Sequence, residues 1–88
     1  MIEQRRHSRT PHPGKVRLWR KHFRRIQGQL KNMSEGGIYV EGISVGDIAL
    51  NMFFEVKIIG EGWANDLPPL TMKVVRIDPQ GVALQYYN

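Results

Sequence analysis

Residues 48–59 read IALNMFFEVKII. Ile48, Leu50, Met52, Phe54, Val56 and Ile58 fall on one side of an alternating pattern, with Ala49, Asn51, Phe53, Glu55 and Lys57 on the other. Side chains of a pleated strand point to opposite faces in turn, whereas a helix returns to one face only every ~3.6 residues. A repeat of two sustained from Ile48 to Ile58 therefore predicts a strand with one apolar face. That face needs a sheet around it and a second layer to cover it.

The rest of the chain supplies more strands and no helical period. KVRLWRKHF (Lys15–Phe23) sets Val16, Leu18 and Arg20 against Arg17, Trp19 and Lys21, and RRIQGQLKN follows with Ile26, Gly28 and Leu30 on one side. IYVEGI is a short apolar strand after the polar turn NMSEGG, and LTMKVVRI and VALQYY are joined by the turn DPQG. Pro68 and Pro69 bar a central strand from GEGWANDLPPL, which reads as a loop. Six short strands separated by turn residues predict an all-β domain. An 88-residue chain has little material with which to protect sheet edges, so closure into a small six-stranded antiparallel β-barrel is expected. Residues 1–14 end in TPHPG, hold no sustained period, and read as a flexible basic arm; residues 15–88 read as the barrel.

Charge divides the chain. Arg5, Arg6, Arg9, Lys15, Arg17, Arg20, Lys21, Arg24, Arg25 and Lys31 are opposed by Glu3 alone in the first third, while Lys57, Lys73 and Arg76 face seven acids in the remainder. Such polarity suits a polyanionic partner. The absence of cysteine excludes disulfides, thiol catalysis and thiolate metal sites, and fits a reducing compartment. With no apolar leader and no long apolar run, no signal peptide or membrane span is expected, and a cytoplasmic location is.

Two motifs carry binding chemistry. The arm holds Arg5-Arg6-His7-Ser8-Arg9, whose guanidinium forks match phosphate oxygens and whose planes stack on nucleobases. The turn Asn32-Met33-Ser34-Glu35-Gly36-Gly37 offers two short polar side chains, alternating in the strand sense, that can hydrogen-bond a base edge. Gly36 and Gly37 leave the main chain open to a flat ligand and to conformations closed to other residues. Together they describe a site for a guanine-like base with attached phosphates.

In order and setting, the pair resembles the PilZ domain family, marked by RxxxR before the first strand and D/N-x-S-x-x-G between the second and third strands of a six-stranded barrel. GGIYVEG is similar to the family's third strand and MKVVRIDPQGVAL to its closing hairpin. The resemblance implies a receptor for cyclic di-GMP, the bacterial second messenger. Arg5 and Arg9 would hold phosphates and stack on guanine, with Arg6 adding a contact. Asn32 and Ser34 would bind guanine edges, and Gly36 and Gly37 would shape the turn. Asn32 stands where many members carry Asp. Ligand would order the arm over the barrel and so signal to a downstream protein effector; no cofactor beyond the ligand and no DNA partner is expected.

Two other classes fit the residues. One is a nucleic-acid-binding barrel using the basic first strand and Trp19 as a stacking groove, and the other a nucleotide-blind PilZ adaptor acting through protein contacts. Trp19 equally suits packing in the barrel wall, and Trp63 either a plug over one barrel end or a partner contact. Catalysis is not expected: the acids are scattered over separate elements, and Ser34 has no activating base nearby in sequence. His7, His12 and His22 lack acidic or thiol partners at metal-ligand spacing.

Overall fold

A computed structural model describes residues 14–60 and 68–87 of the chain. Strands form where alternation is strongest: β1 Lys15–Trp19, β2 Ile26–Met33, β3 Gly37–Glu41, β4 Phe53–Ile59, β5 Leu70–Asp78 and β6 Gly81–Tyr86. All neighbours pair antiparallel, and the sheet closes in the order β1-β2-β3-β6-β5-β4. The expected all-β barrel is thus what this sequence makes. No helix among the described residues is long and apolar enough to cross a membrane.

The barrel interior is the set of inward positions that alternation selects. Val16, Leu18, Ile26, Ile38, Val40, Phe54, Val56, Met72, Val74, Val82 and Leu84 are buried, and Ile48 joins them from the β3–β4 loop. Full burial of such a side chain contributes roughly 1.5–3 kcal/mol, so these residues hold the fold. No polar or charged residue is buried among those described. Gly28 occupies an inward position because a Cβ there would come within 2.6 Å of Ile43 Cγ2 and Val40 Cγ1. Ile43 belongs to the β3–β4 loop, which folds back over that end of the barrel.

Two strands are shorter than the alternation predicts. β4 begins at Phe53, not Ile48; the chain before it is turned by hydrogen bonds from Ile48 N–H to Val45 O (3.0 Å) and from Met52 N–H to Ala49 O (3.3 Å). Asn51 takes a left-handed φ of 73°, which reverses the chain into β4. Ile48 is buried at the barrel end while Leu50 is 56% exposed, so the repeat there reflects one plug residue rather than a strand face. Likewise β1 ends at Trp19, before a turn in which His22 adopts φ 61°. That turn is tied to the β3–β4 loop by Arg24, whose Nε and Nη2 each donate to Asp47 at 2.8 Å while Nη2 also reaches Ser44 O at 2.9 Å.

Candidate ligand-binding groove

The outer wall over β2, β3, β6 and β5 carries a shallow groove of about 410 Å³, within the roughly 300–1,000 Å³ of small-molecule sites. Strand register builds it. Asn32 pairs with Tyr39, Tyr39 with Ala83, and Ala83 with Arg76, so these four residues form one outward row across four strands. The next outward row begins Gly37, Gln85, Lys73. The small side chain of Ala83 and the bare Gly37 make the hollow; Tyr39 and Arg76 raise its wall.

Two β-bulges are needed for that row. Leu30 pairs with Val40, an inward position, and simple alternation would send Asn32 inward as well. The register shift between Leu30 and Asn32 inserts one residue and turns Asn32 outward. A second shift between Val74 and Arg76 does the same on β5: it leaves Val75 as the extra residue, 44% exposed, and sets Arg76 opposite Ala83. A one-residue slip reverses every following side chain, so each bulge keeps a polar group out of the core.

Within the turn, Asn32 Oδ1 accepts from the Met33 amide at 2.8 Å, and nothing among the described residues accepts from its exposed Nδ2. Asn32 therefore presents a hydrogen-bond donor to the groove, which an aspartate could not do at neutral pH. Ser34 Oγ accepts from the Gly36 amide at 3.3 Å, and the Ser34 amide donates to Gly37 O at 2.9 Å. The Tyr86 amide donates to Gly36 O at 3.1 Å and ties the turn to β6. Asn32 and Ser34 thus line one groove, but through a bulge and a turn rather than through unbroken strand alternation.

The two glycines differ from expectation. Neither is among the described glycines with positive φ, which are Gly42 and Gly60. At Gly37 the constraint is steric: a Cβ would collide with the carbonyl oxygen of Leu84 on β6. At Gly36 a Cβ would meet nothing within 4 Å, so that stretch of main chain is open on its outer side.

Sequence reading missed Tyr39 and Arg76. The Tyr39 hydroxyl donates to Asp78 Oδ1 at 2.7 Å, and the same oxygen accepts from the amides of Gln80 (2.9 Å) and Gly81 (3.0 Å). The Arg76 guanidinium lies over the Tyr39 ring, 5.4 Å from its centroid, with Nη2 3.9 Å from Asp78 Oδ2. Asp78 is held below its ordinary carboxylate range, chiefly by the Tyr39 hydroxyl and then by the Gln80 amide. Tyr39 is held above its ordinary value, mainly because its hydroxyl donates to Asp78. The groove wall at neutral pH is then a neutral phenol beneath a largely exposed guanidinium.

The chain enters the barrel beside this turn. The Leu30 amide donates to Gly14 O at 3.0 Å, and β1 runs antiparallel to β2 from Lys15 opposite Gln29. The segment preceding Gly14 is thereby tethered at the end of β2 that leads into Asn32–Gly37. Arg5, Arg6 and Arg9 themselves, with His7, His12 and Trp63, lie outside the described residues.

A model of the PilZ domain family matches residues 3–88, which takes in both motifs and the whole barrel. The chain belongs to the PilZ domain family. PilZ domains are in general receptor domains for cyclic di-GMP and act by binding rather than by catalysis. No curated protein matches the sequence. In this PilZ barrel the D/N-x-S-x-x-G motif is Asn32–Gly37, and its polar groups open onto the groove walled by Tyr39 and Arg76.

Proposed function

We propose that this PilZ domain binds cyclic di-GMP between its RxxxR arm and the outer groove, and that ligand ties the two together. The observation that carries the reading is the Gly14–Leu30 tether. Arg9 lies five residues before Gly14 and so reaches at most ~17 Å from it. Ser34 lies four residues beyond Leu30, about 13 Å along an extended strand. The chain is therefore long enough for the arm to fold back until one ligand touches both halves of the motif pair.

In this reading Arg5 and Arg9 neutralise the two phosphates and stack on guanine, and Arg6 adds a contact. Asn32 donates from Nδ2 to the O6/N7 edge of guanine, and Ser34 binds alongside. The open backbone of Gly36 lets the base approach, while Gly37 holds the turn against β6. Arg76, presented by the β5 bulge, offers a further fork toward the phosphates or ring. The arm, once fixed over the barrel, presents a surface that the unliganded protein lacks, and a protein effector reads it.

Calorimetric titration with cyclic di-GMP tests this, with Arg5→Ala, Arg9→Ala and Ser34→Ala alongside. A charge-assisted hydrogen bond contributes roughly 1.5–3 kcal/mol, so each arginine substitution should weaken binding at least about tenfold. Absence of binding by the unaltered protein would leave the nucleotide-blind adaptor instead.

A further inference from the structure

A second concave surface lies on the wall formed by β4, β1 and β2, and it shares no lining residue with the candidate cyclic di-GMP groove. Its volume is about 570 Å³, and Arg17, Trp19, Arg25, Gln27 and Lys57 line it. Val16 and Leu18 are fully buried, so alternation turns Arg17 and Trp19 outward. Register places Arg17 directly opposite Lys57 on β4 and opposite Gln27 on β2. Two basic side chains are thus neighbours across the β1–β4 pair on the outer face.

The fate of the other arginines sharpens the point. Arg24 is held by Asp47 and Ser44, Arg20 lies over the Phe54 ring, and Arg76 lies over Tyr39. Arg17 and Arg25 have no hydrogen-bond or ion-pair partner among the described residues. Two exposed guanidinium forks, a half-buried indole and a side-chain amide therefore converge where no acid lines the surface among the described residues.

We infer that this wall is a docking surface for a carboxylate-rich segment of a partner protein that also carries apolar side chains. Arg17 and Arg25 take carboxylates in bidentate geometry, Lys57 adds charge, and Trp19 packs against an apolar side chain. Gln27 meets the segment's main chain. Single-stranded nucleic acid fits less well, because it needs a succession of stacking aromatics along a basic track. Trp19 is the one aromatic lining this surface among the described residues, so no such succession is present there. An acidic segment docked here leaves the cyclic di-GMP groove open, so ligand and partner occupy opposite walls.

The test uses the full chain, a fluorescein-labelled peptide of alternating glutamate and leucine, the matched glutamine–leucine peptide, and an oligothymidylate of equal charge. The glutamate peptide should bind in low salt and shift the Trp19 indole N–H and the Arg17 and Arg25 Nε–H resonances, and the glutamine peptide should not. Arg17→Glu should lower peptide affinity at least about tenfold, because it removes a charge-assisted hydrogen bond and sets a carboxylate against the peptide's own. The same variant should unfold at an equal or higher temperature, since the new carboxylate faces Lys57, and should bind cyclic di-GMP as the unaltered protein does. Retained cyclic di-GMP binding separates failure here from failure of the receptor reading. Absence of shifts at these residues, peptide binding indifferent to Arg17→Glu, or tighter binding of oligothymidylate at the same residues would each overturn the proposal.

Discussion

Gly36 and Gly37 are adjacent in the β2–β3 turn and answer to different constraints. A methyl group on Gly37 meets the main chain of β6, which cannot retreat without breaking the β3–β6 ladder. Gly37→Ala should destabilise the barrel by about 1–3 kcal/mol or more, the range for overpacked sites, as measured by urea unfolding. Gly36→Ala should change stability by no more than about 0.5 kcal/mol, since the new methyl meets nothing. If guanine lies on that backbone, Gly36→Ala should nonetheless weaken cyclic di-GMP binding in calorimetry; unchanged affinity would remove Gly36 from the site. Arg76 supplies the other test at this scale. Arg76→Ala should weaken binding several-fold, and Arg76→Lys should not restore it, because an ammonium lacks the planar fork that the guanidinium over Tyr39 offers a phosphate.

Among the elements, the β1–β2 turn and the β3–β4 loop are joined by Arg24 and Asp47. Asp47 is held below its ordinary value of 3.8, first by its hydrogen bond from Arg24. A carboxylate depressed in this way contributes its full stability above its unfolded value, and the contribution disappears as pH falls through the lowered folded value. The melting-temperature advantage over Asp47→Asn should therefore hold at neutral pH, shrink as pH falls below 3.8 and vanish once the lowered folded value is passed. An advantage constant across that range would mean that the ion pair does not fasten the loop.

The six strands were legible because inward apolar positions recur at a period of two, from Val16 and Leu18 to Val82 and Leu84. The two bulges were not read, though a signal was present. Counting alternately from Ile26 and from Met72 puts Asn32 and Arg76 in the core, where an amide and a guanidinium without partners do not belong. Tyr39 and Arg76 went unnoticed for the same reason: an outward row depends on register between strands distant in sequence, which local alternation does not encode. The overlong reading of β4 arose because Ile48, a plug at the barrel end, keeps the parity of the strand that follows.

At the scale of the molecule, the barrel has little stability to spare. Proteins are stable by roughly 0.05–0.15 kcal/mol per residue, or about 4–13 kcal/mol for a chain of this length. Phe54 is among the largest fully buried side chains and meets Phe23 edge to face at 5.5 Å. Phe54→Ala should cost about 3–5 kcal/mol, a large share of that total, and urea unfolding should show a correspondingly lower midpoint. The outer walls, by contrast, are set by register and carry the polar chemistry: one faces the candidate nucleotide groove and the other presents exposed arginines. The basic first third of the chain supplies Arg17 and Arg25 to the second wall, and Arg76 of β5 stands at the first.

Central to the proposed function is the closing of arm and turn on one ligand. The chain has no cysteine, so Thr10→Cys offers a single attachment point for a nitroxide just after the RxxxR motif. Paramagnetic broadening of the Ser34, Gly36 and Gly37 amides should be measured with and without saturating cyclic di-GMP. Closure predicts that ligand sharply increases broadening at these amides and leaves the far wall around Arg17 unaffected. Saturation with ligand and no change in broadening at the turn would contradict it.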